Sequence, residues 1–124
     1  MICQRFRSRA LWGAAYNYTT ALADLNRHKE IKELLLRTIP VARRTLGEGN
    51  DITLAMRSLY AETLYKKDGT TLDDLREAVT TLEDTTRIAR RVLGGAHPDT
   101  VGIEYNLQKA RAALAARETP PTNA

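Results

Sequence analysis

Apolar residues recur at three- and four-residue steps along most of this chain, the spacing that puts them on one face of an α-helix. Five stretches carry such a stripe. The first, from about Ala10 to Asn26, holds Leu11, Ala14, Ala15, Tyr18, Leu22 and Leu25. The second, from Lys29 to Leu46, holds Ile31, Leu34, Leu35, Ile39, Ala42 and Leu46. Only the polar corner Asn26-Arg27-His28 separates them, so the two helices are expected as antiparallel neighbours. Pro40 falls inside the second stripe, where its ring crowds the carbonyl of Leu36. The stripe continues in register across it, which predicts one bent helix and not two.

Glycine and capping residues mark where the later helices stop and start. Gly47 closes the second helix in the position that favours a left-handed C-cap, and Asn50 or Asp51 can cap the third. Met56, Leu59, Tyr60, Thr63 and Leu64 form the stripe of that third helix, which ends in the turn from Lys66 to Thr70. Thr71 followed by Asp74 predicts a capping box, with aspartate standing for the longer glutamate. The fourth helix then runs to Leu93, burying Leu75, Ala78, Val79, Leu82, Ala89 and Val92 or Leu93, and Pro98 prevents its continuation. A fifth, from Asp99 to Arg117, shows Ile103, Leu107, Ala110 and Leu114. Residues 118–124, with Pro120 and Pro121, are expected to fray. Thr80-Thr81 and Thr85-Thr86 lower helix propensity slightly, but no alternating strand pattern competes with the stripe.

The chain also repeats itself. Ala42-Arg43-Arg44-Thr45-Leu46-Gly47 returns as Ala89-Arg90-Arg91-Val92-Leu93-Gly94, 47 residues later, with Glu30 matching Glu77, Leu35 matching Leu82 and Thr53 matching Thr100. Tyr18 and Leu22 return 42 residues on as Tyr60 and Leu64, and Tyr16-Asn17 returns as Tyr105-Asn106. Periods of this length belong to stacked helical repeats, whose surfaces mostly bind other proteins. The longer second spacing predicts an added turn at the start of the fourth helix, between Lys67 and Asp74.

Composition narrows the function classes. With 43% hydrophobic and 27% charged residues in 124, the chain is globular in character. A net charge of +4 favours acidic partners only weakly. A lone cysteine, Cys3, excludes an internal disulfide framework and suits a reducing, cytoplasmic setting. No apolar run reaches the roughly 20 residues a membrane-spanning helix needs. Met1 to Ala23 lacks acidic residues and interleaves Arg5, Arg7 and Arg9 with Phe6, Leu11 and Trp12. That composition fits a mitochondrial transit peptide as well as the basic front of a first helix; the second reading is the simpler.

The breaks carry a resemblance. Leu93-Gly94-Gly95-Ala96-His97-Pro98-Asp99-Thr100, echoed by Leu46-Gly47 with Asn50-Asp51 and Thr53, resembles the tetratricopeptide repeat of the kinesin light chain type. Glu77-Ala78 fits the second helix of that repeat, whereas Glu30-Ile31 enlarges the alanine. The likeness covers residues 14 to 117. It implies an all-α, right-handed superhelical stack of antiparallel hairpins: 10–46, 51–93 and a capping helix 99–117. Departures are Arg57, where a bulky apolar residue is usual, and Thr19 and Gln108, where Ala61 supplies the small residue of the middle copy. Two repeats and a cap lie near the minimum for stability, which points to a longer array or to self-association.

The resemblance further implies that first helices line a concave, partner-binding side. The residues so placed are Tyr16, Asn17 and Thr20, then Ser58, Glu62 and Tyr65, then Tyr105, Asn106 and Lys109. Tyrosine offers contact area at low entropic cost, and an asparagine amide pairs with peptide backbone. The same residues also suit the junctions between helices. The expected function is a noncatalytic scaffold binding a peptide or partner protein; an RNA-binding repeat or a purely structural array are the alternatives. Arg43-Arg44 and Arg90-Arg91 invite the RNA reading, but each pair closes a helix and complements its negative end. His28, His97 and Cys3 have no metal-ligand spacing, Asp73-Asp74 and Glu83-Asp84 read as solvated charges, and no catalytic or cofactor motif is present.

Overall fold

A computed structural model describes residues 27–66 and 69–118. Within them lie four helices and no strand: α1 (His28–Thr45), α2 (Asp51–Lys66), α3 (Leu72–Val92) and α4 (Pro98–Glu118). They correspond to the second through fifth predicted stretches. The first stretch, with Tyr16, Asn17, Thr19 and Thr20, lies outside the described residues. α1 packs on α2, α2 on α3 and α3 on α4, and α2 also touches α4. Short loops join each consecutive pair, so neighbours reverse direction.

Contact with all three other helices makes α2 the centre of the core. Leu54, Met56, Ala61, Leu64 and Thr53 are fully buried, and Leu59 and Tyr60 nearly so. Its burial is close to all-round, which is why its sequence shows a weaker stripe than α1 or α3. Around it, Ile31, Leu35 and Ala42 of α1, Leu75, Ala78 and Leu82 of α3, and Ile103 and Ala110 of α4 complete the core. α1 runs through Pro40 as a single helix, with Pro40 on the exposed side. Two of the threonines of α3 back-bond: Thr80 Oγ1 donates to the Arg76 carbonyl at 3.0 Å and Thr85 Oγ1 to that of Thr81 at 2.6 Å.

The repeat is legible in individual hydrogen bonds. Leu46 N–H donates to the Ala42 carbonyl and Leu93 N–H to that of Ala89, each at 2.8 Å. Leu54 N–H meets the Asn50 carbonyl and Val101 N–H the His97 carbonyl, each at 3.0 Å. Gly47 and Gly94 follow the helix ends at φ +95° and +92°, a conformation that a Cβ opposes. Even the side-chain caps correspond. Asn50 Oδ1 accepts from Ile52 N–H at 2.9 Å, and His97 Nδ1 accepts from Asp99 N–H at 3.1 Å. Accepting at Nδ1 places the neutral ring's proton on Nε2. His97 therefore works as a helix cap.

α3 has 21 residues against 18 in α1. Aligned on the repeat, both end at the same place, so the extra length lies at the N-terminal end of α3. Thr71 forms the expected capping box, accepting from Asp74 N–H at 3.1 Å while its own N–H reaches Asp74 Oδ2 at 3.4 Å. Two boundaries differ from expectation. Pro98 does not merely stop the preceding helix; it is the first residue of α4, where a missing amide hydrogen costs nothing and its φ is already helical. Glu118 closes α4 instead of opening a tail, for Arg76 pairs with it at 3.5 Å and Arg117 donates to the Thr70 carbonyl at 2.8 Å.

Candidate functional site

α2 and α4 run side by side and bring the six described candidate residues toward one another. Ser58, Glu62 and Tyr65 lie at successive turns of α2; Tyr105, Asn106 and Lys109 lie along α4. Three of them join directly. The Asn106 amide nitrogen donates to Ser58 Oγ at 2.8 Å, and its Oδ1 accepts from the Tyr65 hydroxyl at 3.2 Å. Ser58 is buried and the other two are half-buried. Asn106 thus fastens α4 to α2 and keeps one N–H and one lone pair free of that duty. Burial, with Glu62 and Tyr105 nearby, pushes the Tyr65 phenol well above its ordinary value, so it stays a donor.

The outward part of this face is different. Tyr105 is 57% exposed, and Lys109 Nζ sits 5.2 Å from its ring centre, within cation–π range. Lys66 lies 5.9 Å from the Tyr65 ring and donates to Glu62 at 3.1 Å. Glu62 is therefore already matched by a cation. Together these residues present an aromatic ring, two ammonium groups and one carboxylate above an amide-bonded floor. Such a surface can hold a polar or aromatic segment, and no nucleophile with an adjacent base lies within it.

Charges elsewhere are more engaged than their sequence suggests. Asp84 is not simply solvated: Arg57, itself only 8% exposed, donates to its Oδ2 at 2.6 Å, and Arg87 pairs with its other oxygen. The Arg57 hydrogen bond holds the Asp84 carboxyl below its ordinary value, with Arg87 assisting. Glu83 likewise pairs with Arg111 at 2.9 Å, and Asp74 serves in its capping box. Asp73 alone of these acids is almost wholly exposed. In the arginine pairs, Arg43 donates to Glu48 at 2.9 Å and Arg90 pairs with Glu104, so one member of each is spoken for. The Arg57–Asp84 pair is not legible in the sequence, because its members lie 27 residues apart, beyond any local pattern. The one available signal was the arginine's place inside an apolar stripe.

Residues 70–99, which span α3 and the loops on either side, match the family model of the tetratricopeptide repeat. No curated protein and no solved structure matches the chain. The match, the four helices of the described residues and the recurring helix-end hydrogen bonds together support a tetratricopeptide repeat protein, a class that generally mediates protein–protein interaction.

Proposed function

We propose that this chain is a noncatalytic interaction scaffold of the kinesin light chain-like kind, binding a peptide or partner protein in the cytoplasm on the face shared by α2 and α4. Tyr16, Asn17 and Thr20 extend that face if the repeat register holds for the first stretch. The carrying observation is the exposed Tyr105 ring under Lys109, on an otherwise amide-locked surface. A half-exposed aromatic on a rigid helix supplies contact area with little ordering cost, the profile of a binding hot spot.

The test is capture of partners from a cytosolic extract by the immobilised chain, followed by Tyr105→Ala, Lys109→Ala and Asn17→Ala variants. Binding should fall by tenfold or more for at least one, since hot-spot truncations cost roughly 2 kcal/mol or more. Thermal stability should be nearly unchanged for Tyr105→Ala. Unaltered capture by all three variants would reject this face. A salt-steep mobility shift with RNA, or a mass in solution showing only self-association, would favour the other two readings.

A further inference from the structure

The 47-residue repeat lays α2 on α4, and the side of α2 that receives α4 then falls on residues of α4 that meet solvent. Asn106 reaches α2 at Ser58 and Tyr65. Their counterparts on α4 are Tyr105 and Ala112, both exposed. Leu54, fully buried one turn before Ser58, has Val101 as its counterpart. Val101 and Tyr105 are 54% and 57% exposed, more than any other large apolar side chain described. Helical spacing puts Val101, Tyr105 and Ala112 on one side of α4, opposite the buried Ile103, Leu107 and Ala110. α4 therefore turns outward the side with which α2, inside the fold, receives a helix.

The adjoining flank differs. On α2 it takes α3, through Arg57 with Asp84 and Tyr60 with Glu77, and Leu64 is fully buried. On α4 the Arg57 counterpart is Glu104, paired with Arg90, and the Leu64 counterpart is Arg111, paired with Glu83 at 2.9 Å. A second helix seated there would bury those paired charges, so the open side suits one helix and not a hairpin. Charge narrows the occupant further. Glu62 of α2 is matched by Lys66 one turn on, whereas the counterparts on α4 are Lys109 and Ala113. Lys109 lies over the Tyr105 ring and has no carboxylate partner among the described residues. A second copy meeting this side across a two-fold axis would set the ammonium-bearing face against itself. A partner carboxylate beside an aliphatic stripe complements it.

We infer that the outer side of α4 seats a single amphipathic helix of a partner protein, with its aliphatic stripe on Val101, Tyr105 and Ala112 and a carboxylate on Lys109. The inference rests on the proposed use of the Tyr105 face and adds the form and charge of what that face binds. Anchors one and two turns apart on a preformed helix are the pattern by which one helix reads another.

The probe is an alanine-based peptide of about 18 residues, or five turns, with leucines along one side and glutamates flanking them. One comparison peptide carries lysines for the glutamates; another has two central prolines that prevent a helix. Each is titrated into the full chain by NMR. The glutamate peptide should shift the Val101 methyls and the Tyr105 ring saturably and gain helicity on binding. The lysine peptide should bind several-fold more weakly, and Lys109→Glu should reverse that order. Val101→Glu, at an exposed position, should weaken the glutamate peptide about tenfold in a chain that still folds. The inference fails if no peptide shifts these signals saturably, if the lysine peptide binds the parent chain equally well, or if Val101→Glu binds normally. Equal binding of the proline peptide at Tyr105 would overturn the helical form while keeping Tyr105 as a binding surface, which separates the two readings. Shifts that follow protein concentration without peptide would make a second copy the occupant and overturn it too.

Discussion

Asn106→Ala separates the structural from the recognising part of the α2–α4 face. The amide makes two hydrogen bonds, to buried Ser58 and half-buried Tyr65. Neutral bonds of this kind contribute about 1 kcal/mol each, and Ser58 Oγ would lose its one partner among the described residues. Against a loss of about 2 kcal/mol stands the better helix propensity of alanine, about 0.5 kcal/mol at a mid-helix position. The expected net destabilisation is about 1.5 kcal/mol, or a fall in Tm of about 6 °C for a domain of this size. Urea melts of Asn106→Ala, Ser58→Ala and the double variant should show a coupling of at least about 0.5 kcal/mol, since the residues touch. Tyr105→Ala, one residue away and facing solvent, should change stability by no more than about 0.5 kcal/mol. An Asn106→Ala chain that melts with the parent, and shows no coupling to Ser58, would mean that the amide does not join the helices; the reasoning would then be wrong.

Gly94→Ala should destabilise by about 1–2 kcal/mol because its φ of +92° burdens any Cβ, although no atom lies close enough to clash. Gly95→Ala, one residue on and with equally open space, should melt close to the parent, so the pair tests conformation alone. Thr71→Ala removes the capping box of α3 and should cost about 1 kcal/mol by chemical denaturation, whereas Thr80→Ala should be neutral or better. The depressed Asp84 pKa means that its contribution is present at neutral pH and is lost as pH falls from the ordinary aspartate range through the folded value. Stability measured from pH 6 to pH 2 should therefore fall less steeply in Arg57→Met, with some slope retained through Arg87; an unchanged slope would remove Arg57 as the cause. Burial and Glu77 raise the Tyr60 phenol to about 12, so the unfolded chain ionises first and stability should drop above pH 10. Tyr60→Phe should blunt that alkaline loss.

Local chemistry determined the ends and faces of the helices. The Thr71–Asp74 box, the left-handed glycines after Leu46 and Leu93, and the four described stripes are interactions among residues a few positions apart, and their spacing suffices to predict them. The 47-residue echo then carried the same hydrogen bonds from one loop to the next. Tertiary packing decided what no local spacing encodes. The all-round burial of α2 follows from having neighbours on three sides, and a central helix needs no strong stripe. Whether the Asn106 amide meets a neighbouring helix depends on how closely α4 approaches α2, and that approach ties it to Ser58. Arg57 looked like a misplaced charge until α3 brought Asp84 against it from 27 residues away. Pairing across helices is a property of three-dimensional proximity; a linear pattern records only the residue that breaks the stripe, not the group that makes its burial tolerable.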